Sequence, residues 1–343
     1  MKAAVLYGQE DVRVEEVEIA PLKVGEVRIR IEAALTCGTD LKVYRRGYHA
    51  LMIRPPAVFG HELSGVISEV GEGVEEWLVG DRVVAANSAP CGECSLCLHE
   101  QESLCDDLLF LNGAYAEYIN VPARIVEKNL LRVGPDTSFA DAALTEPLAC
   151  VVQGVAESRL WPGDRVLVIG AGPIGLMFVA LAHHLGCHVT AAGRNPERLA
   201  AARNLGAMHI LDMTGKDDLV STVRSAPSTG HGYDVVIEAT GKPEVWEAAV
   251  DLVRKGGLVN FFGGCPSGTT VNLDTGRLHY SSITLKASFH HTPHSVRKAL
   301  EFIEKGVVTA EEFVGQETSL DELPDLLKAM TTNNRVIKTL IRA

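Results

Sequence analysis

The 343-residue chain has no uninterrupted apolar run approaching the ~18 residues that mark a membrane-spanning helix. It also lacks an excess of positive charge. Its formal net charge is −12, whereas a nucleic-acid partner calls for basic stripes, so nucleic acid is excluded. The opening Met1-Lys-Ala-Ala-Val-Leu-Tyr-Gly8 reads as a first strand, with no apolar stretch long enough for an export signal. Internal repeats and low-complexity tracts are missing as well. Eight cysteines without an export signal read as thiols and metal ligands in a reducing, cytoplasmic compartment. What is left is a soluble globular composition, 46% hydrophobic and 22% charged, at a length that suggests two domains.

Against these absences, one stretch stands out. Cys91, Cys94, Cys97 and Cys105 follow the spacing C-x2-C-x2-C-x7-C. Thiolates at such intervals wrap one tetrahedral soft-metal ion, and a closed four-cysteine site holds structure rather than doing chemistry. An iron–sulfur cluster or a pair of disulfides are the competing readings, ranked below zinc.

The first 35 residues read as strands at Ala3 to Tyr7, Val12 to Val17 and Glu26 to Ala33, the last with Val27, Ile29 and Ile31 alternating. Frequent Gly and Pro make this first part β-rich and loop-heavy. From Trp161 onward strands and helices alternate, the pattern of βαβ units on a parallel sheet. Strands are expected at Arg165 to Ile169, His188 to Ala192, His209 to Leu211, Asp234 to Glu238, Leu258 to Phe262 and Ile283 to Ala287. Helices are expected between them, at Ile174 to Leu185, Pro196 to Leu205 and Glu244 to Arg254. Two further helices, Ser295 to Lys305 and Leu320 to Thr331, precede a terminal strand at Val336 to Ile341.

Gly170-Ala-Gly172-Pro173-Ile174-Gly175 follows the first of these later strands and opens a helix. In that context G-x-G-x-x-G is a dinucleotide-binding turn: Gly170 for the tight bend, Gly172 for the approach of a pyrophosphate, Gly175 for helix–strand packing. The helix start offers unpaired N–H groups to phosphate. An acidic residue is absent from the end of the next strand, where it would bind a ribose 2′-hydroxyl. Gly193 stands there, with Arg194 and Asn195 after it, so NADP is expected ahead of NAD.

Three further candidates are weak one by one. Cys37 brings a thiolate, with the Thr39 hydroxyl two residues on. His61-Glu62 sets an imidazole beside a carboxylate. Glu146 interrupts an apolar helix at Thr145-Glu-Pro-Leu148. Cys37 also reads as a small buried hydrophobe, His61 as a structural histidine, and Glu146 as a helix-start carboxylate.

Gly60-His61-Glu62-x2-Gly65-x5-Gly71-x2-Val74, the four-cysteine stretch and the glycine turn come in one order, and together they resemble the zinc-containing medium-chain alcohol dehydrogenases, in particular the sorbitol (polyol) branch. The resemblance covers essentially the whole chain. It implies an α/β protein: a β-rich GroES-like catalytic domain over 1–150 and 289–343, and a doubly wound Rossmann coenzyme domain over 151–288. It also implies two zinc ions per chain. One is structural, on the four cysteines. The other is catalytic, on Cys37, His61 and Glu146, with Glu62 as a carboxylate that exchanges onto the metal or stays just behind its ligands. Liver-type members have a second cysteine where Glu146 stands, and many relatives have a relay histidine where this chain has Lys42. Cys150 is read as core.

The implied activity is hydride transfer between a secondary alcohol of polyol or sugar type and a nicotinamide coenzyme. Thr39 would pass on the hydroxyl proton to the nicotinamide ribose, to Lys42 or to water. Arg45, Arg46, Tyr48, His49 and Arg54 read as a solvated loop or as a substrate-recognition segment, and His290 as a cleft or hinge residue. The alternatives are a simple secondary-alcohol or threonine-like dehydrogenase and, from another class, a non-catalytic zinc-bearing binding protein. A zinc-free quinone or enoyl reductase would not need Cys37, His61 and Glu146. The resemblance further implies a homodimer or homotetramer.

Overall fold

The computed structural model describes residues 1–49, 52–226, 232–332 and 336–343. It divides into two compact units, Met1–Ala149 with His291–Ala343, and Cys150–His290. Among the described residues no helix is long and apolar enough to cross a membrane.

The first unit is built on a seven-stranded sheet. Its path runs Leu130–Arg132, Arg82–Ala85, Glu62–Val70, Val27–Leu35, Lys338–Arg342 and Val314–Ser319, with Tyr118–Val121 also pairing Val27–Leu35. Val27, Ile29 and Ile31 are buried, as their alternation dictates. The register against Glu62–Val70 then shifts between Ile31 and Ala33. That irregularity puts Ala33, Ala34 and Leu35 all in the interior and carries the strand toward Cys37. A smaller sheet, Asp11–Glu16, Lys2–Gly8 and Ala57–Val58, lies in the same unit.

The second unit is a six-stranded parallel sheet in the order His209–Asp212, His188–Gly193, Arg165–Ile169, Tyr233–Glu238, Val253–Phe261 and Thr284–Ala287. Counted along the chain this is 3-2-1-4-5-6, the doubly wound arrangement, with the order reversing beside Arg165–Ile169. Helix Pro173–His184 is buried without a break from Gly175 to Ala182, which is why it reads as an apolar run rather than a stripe.

Two expected helices end differently. Glu244 to Arg254 proves to be Pro243–Leu252, because Val253 already opens the next strand. Leu320 to Thr331 is a 3-10 turn, Leu320–Glu322, followed by helix Leu323–Met330. Pro324 sits in the first turn of that helix, where its missing N–H costs nothing. Helix Gly38–Arg46 was not expected from the sequence, and it positions the most important cluster.

Candidate active site

The four cysteines of the Cys91–Cys105 lobe converge. Their sulfurs stand 3.4 Å apart for Cys91 and Cys105, 3.5 Å for Cys94 and Cys97, and 3.9 Å for the Cys91–Cys97 and Cys94–Cys105 pairs. A disulfide needs about 2.05 Å. Four thiolates around one zinc at about 2.3 Å lie about 3.8 Å from one another. The set therefore fits a tetrahedral metal and not cystine. Its electrostatics agree. Burial pushes the Cys97 thiol up to about 12, while backbone N–H groups of Asp106 and Cys97 draw Cys94 down to about 6. Without a cation, adjacent thiols cannot all ionise.

The second cluster is assembled from distant segments. Cys37 caps helix Gly38–Arg46: its sulfur accepts from Thr39 N at 3.4 Å, and Asp40 returns a carboxylate oxygen to Cys37 N at 2.9 Å. The other Asp40 oxygen lies 3.0 Å from Nδ1 of His61. A carboxylate only accepts, so Nδ1 carries a proton and Nε2 is the nitrogen that would ligate a metal on giving up its own proton. Tyr115 donates its hydroxyl to Asp40 at 2.5 Å. Burial opposes a charge on His61, but Asp40 and Cys37 outweigh it and hold the imidazolium well above its usual range. Ligand atoms of Cys37, His61 and Glu62 all lie within 4.8 Å of one another.

Glu62 is fully buried, and Lys338 clamps it, with Nζ 2.5 and 2.7 Å from its two oxygens and 3.1 Å from the Thr36 carbonyl. Burial opposes the ammonium, but Glu62 holds the Lys338 pKa above its usual value. Direct ligation by Glu62 would have to loosen this ion pair.

Glu146 is buried at the start of helix Thr145–Ser158 and falls outside that 4.8 Å group. Burial, helped by Glu62 and Asp40, pushes its carboxyl up to about 7 against the pull of His61 and Lys338. A carboxylate raised chiefly by burial, and further by acidic neighbours, has room electrostatically for a divalent cation. His291 stands 3.9 Å from Glu146 and 2.9 Å from the Asn87 oxygen.

Thr39 is half-buried near Cys37, whereas Lys42 is exposed on the same helix. Arg46 and Tyr48 are also exposed, and Arg45 reaches the Thr331 carbonyl at 2.5 Å. His49 is tied by Met52 N to its Nδ1 at 3.1 Å.

In the second unit the glycine turn obeys its motif. Gly170 has φ of 114°, and a Cβ on Gly175 would stand 1.7 Å from the Gly170 carbonyl oxygen. Gly172 caps helix Pro173–His184, with Pro173 and Ile174 in its first turn. A Cβ on Gly193 would meet Ala171 Cβ at 2.8 Å, so close packing against the turn explains the missing carboxylate. The Asn195 side chain is spent on capping helix Pro196–Asn204, accepting from Arg198 N at 3.0 Å. Gly193, Arg194 and Lys216 line one cavity of about 390 Å³ with Gly170 and Ala171.

Sequence reasoning missed Asp40, Tyr115, His291, Lys216 and Lys338. Two carried a usable signal: the Cys37-x2-Asp40 spacing is a capping box, and Lys338 is a lone charge in an apolar terminal strand.

Two family descriptions match the chain: an alcohol dehydrogenase GroES-like domain over residues 23–130 and a zinc-binding dehydrogenase over 173–305. Sorbitol dehydrogenase of Bacillus subtilis (strain 168) is 30% identical over 99% of this chain and 97% of that protein. An L-threonine 3-dehydrogenase of Bacillus velezensis is 32% identical over 90% and 89%. A zinc-binding dehydrogenase of Sinorhizobium meliloti 1021, solved bound to NADP, superposes with a TM-score of 0.91 at 28% identity, covering 100% of this chain and 99% of that one.

Proposed function

The chain belongs to the zinc-containing medium-chain alcohol dehydrogenase family, and we propose that it oxidises a polyol or sugar-type secondary alcohol with NADP. The observation that carries the active-site assignment is the convergence of Cys37, His61 and Glu62 within 4.8 Å beside a buried, raised Glu146. Cys37, His61 and Glu146 would hold the catalytic zinc, and Cys91, Cys94, Cys97 and Cys105 the structural one. The first unit is then the catalytic domain and the second the coenzyme domain.

When bound, zinc acidifies the substrate hydroxyl as a Lewis acid, and nicotinamide exchanges the hydride. The chain's own residues prepare that step. Asp40 fixes the His61 tautomer and, through Cys37 N, the start of the helix that carries the thiolate. Lys338 holds Glu62 back as a buried anion rather than an open ligand. Thr39, two residues after Cys37 and half-buried, would take the alcohol proton; the adjacent Thr36 hydroxyl is engaged by Thr339 N at 2.9 Å. The exposure of Lys42 favours onward transfer to water or to the nicotinamide ribose.

NADP is supported by Gly193, which leaves no space for a ribose-binding carboxylate, and by Arg194 with Lys216 in the same cavity. The polyol reading is supported by Glu146 and the sorbitol dehydrogenase relative; the threonine dehydrogenase relative supports an amino-alcohol substrate instead. We place the protein in the cytoplasm as a homodimer or homotetramer.

A panel of polyols, sugars, sugar phosphates, simple alcohols and L-threonine, assayed with both coenzymes, tests this. Preferred reduction of NADP with a polyol or sugar is expected. Activity confined to L-threonine would select the amino-alcohol reading, and silence across the panel with zinc present would revive a binding protein. A clear NAD preference would overturn the coenzyme assignment.

A further inference from the structure

Strand Tyr233–Glu238 has an acidic residue near each end, and the two are stabilised in opposite ways. Asp234, near the amino end, accepts from Arg165 N at 2.8 Å and from Arg254 Nε at 2.5 Å, an ordinary cation-paired carboxylate. Glu238, at the carboxyl end, is fully buried and has no cation partner among the described residues. Its carboxylate instead gathers donors from the turn that follows. Oε1 accepts from Thr240 N at 2.7 Å and from the Thr240 hydroxyl, and both oxygens stand 3.2 Å from Gly241 N.

The main chain of Glu238 ties in a second turn, its carbonyl accepting from Phe262 N at 3.0 Å and Gly263 N at 2.8 Å. Trp246 Nε1 donates to the Gly263 carbonyl at 3.0 Å. The turns are packed to contact. A Cβ on Gly263 would stand 2.3 Å from Gly241 N and 2.8 Å from Glu238 Oε2, and one on Gly241 would stand 2.5 Å from the Gly264 oxygen. A Cβ on Gly170 would meet Thr240 Cγ2 at 2.9 Å. Glu238 thus bonds directly to the turns after two strands and, through Thr240, is in contact with the Gly170 turn after a third, at the sheet edge where open α/β sheets bind nucleotides. Thr240 and Lys242 line the same cavity as Gly170 and Arg194.

We propose that Glu238 is a positioning residue for the nucleotide crevice. Its carboxylate holds the Thr240–Gly241 turn against Gly170 and Gly263, so that a dinucleotide meets a preset floor. The proposal rests on the dinucleotide reading of the glycine turn. A carboxylate suits the position because every converging group is a donor; an amide would aim a fourth donor at Gly241 N. A buried carboxylate without a cation is expensive, and here the donors of the turn it organises offset that cost.

The test compares E238Q with D234N on the same strand, with W246F as a fold-preserving second probe of the Gly263 turn. Coenzyme Kd from NADPH and NADH fluorescence, coenzyme KM, kcat, zinc content and Tm are measured on the zinc-loaded protein. E238Q should raise coenzyme Kd and KM by about tenfold or more, with a smaller change in kcat and zinc content unchanged. W246F should raise them about threefold. D234N should lower Tm while leaving both constants alone. Unchanged coenzyme constants in W246F and in folded E238Q would overturn the proposal, as would an equal rise in D234N. If the wild-type protein binds neither coenzyme, the dinucleotide reading itself fails; if it binds and only the Glu238 effect is missing, that reading stands.

Discussion

The four-cysteine lobe and the proposed Cys37–His61–Glu146 set, of which Cys37 and His61 converge with Glu62 while Glu146 stands outside that group, would hold a metal by contrary routes. The lobe draws four identical donors from 15 consecutive residues. It contains no carboxylate ligand and no buried counter-charge. The other cluster draws three different donors across more than a hundred residues and surrounds them with Asp40, Glu62, Lys338 and Tyr115, all buried. A uniform, closed donor set satisfies its metal completely and leaves no coordination position for substrate. A mixed set embedded in opposing charges leaves an open position and sets the charge around it. Metal holding chain and metal doing chemistry are therefore distinguishable by what encloses the ligands.

The sharpest way to break this contrast is a pair of substitutions. C37S or H61A should abolish turnover, by about a thousandfold or more, while the protein stays folded and binds coenzyme. C94S should lower zinc content by one ion per chain and lower thermal stability, because structural zinc contributes folding free energy directly. Metal analysis, melting curves and coenzyme titration on the variants decide it. Near-full activity in C37S, or unaltered stability and zinc in C94S, would reverse the roles.

Lys338 offers the next largest effect. Its ion pair with Glu62 is sealed from solvent on both sides. K338M leaves a buried carboxylate without its partner, at a cost of about 3–5 kcal/mol in denaturant unfolding. E62Q/K338M together should recover much of that loss, since neither charge is then stranded. No comparable ion pair lies among the lobe cysteines, so the same double-mutant logic has no counterpart there.

The clusters also differ in what pH does to the zinc-free protein. Glu146 is raised from the ordinary 4.5 to about 7, so the folded state takes up its proton before the unfolded state does. Its contribution favours the folded protein below about 4.5 and is lost as pH climbs through 7, on the order of 3 kcal/mol in all. Zinc-free protein should lose stability between pH 4.5 and about 7 relative to E146Q, and zinc should remove that difference. Identical pH profiles for the two zinc-free proteins would show that Glu146 is not held protonated.

The same contrast explains what could be read before the fold was known. The lobe is local, so spacing alone identifies it, and the glycine turn is local for the same reason. The parallel sheet was legible from alternating strands and helices, since every strand of it carries its own short local pattern even where its partner is distant. Cys37, His61 and Glu62 gained meaning only together, because strand Val27–Leu35, which leads to Cys37, pairs with Glu62–Val70 and also with Lys338–Arg342, some three hundred residues on. Lys338 could be seen as an oddity in an apolar strand, but its partner could not. The end of helix Pro243–Leu252 was misjudged because an apolar run cannot say where 3.6-residue periodicity yields to alternation.

Asp40 is the smallest lever and separates support from ligation. One of its oxygens orients His61, and the other accepts from both Cys37 N and Tyr115. D40N keeps an acceptor for His61 only by turning its amide toward Cys37 N, where a donor meets a donor. The outer partners of metal ligands typically contribute about 10–100-fold in metal affinity or activity, and D40N should fall in that range. Y115F should cost less, because Asp40 retains its bonds to His61 and Cys37 N. Zinc affinity by competition with a chelator, measured alongside kcat, reads both. Lobe zinc should be unaffected in either variant, since no lobe cysteine bonds to Asp40. A Y115F loss exceeding that of D40N would mean that the hydroxyl, and not the carboxylate, sets the His61 geometry.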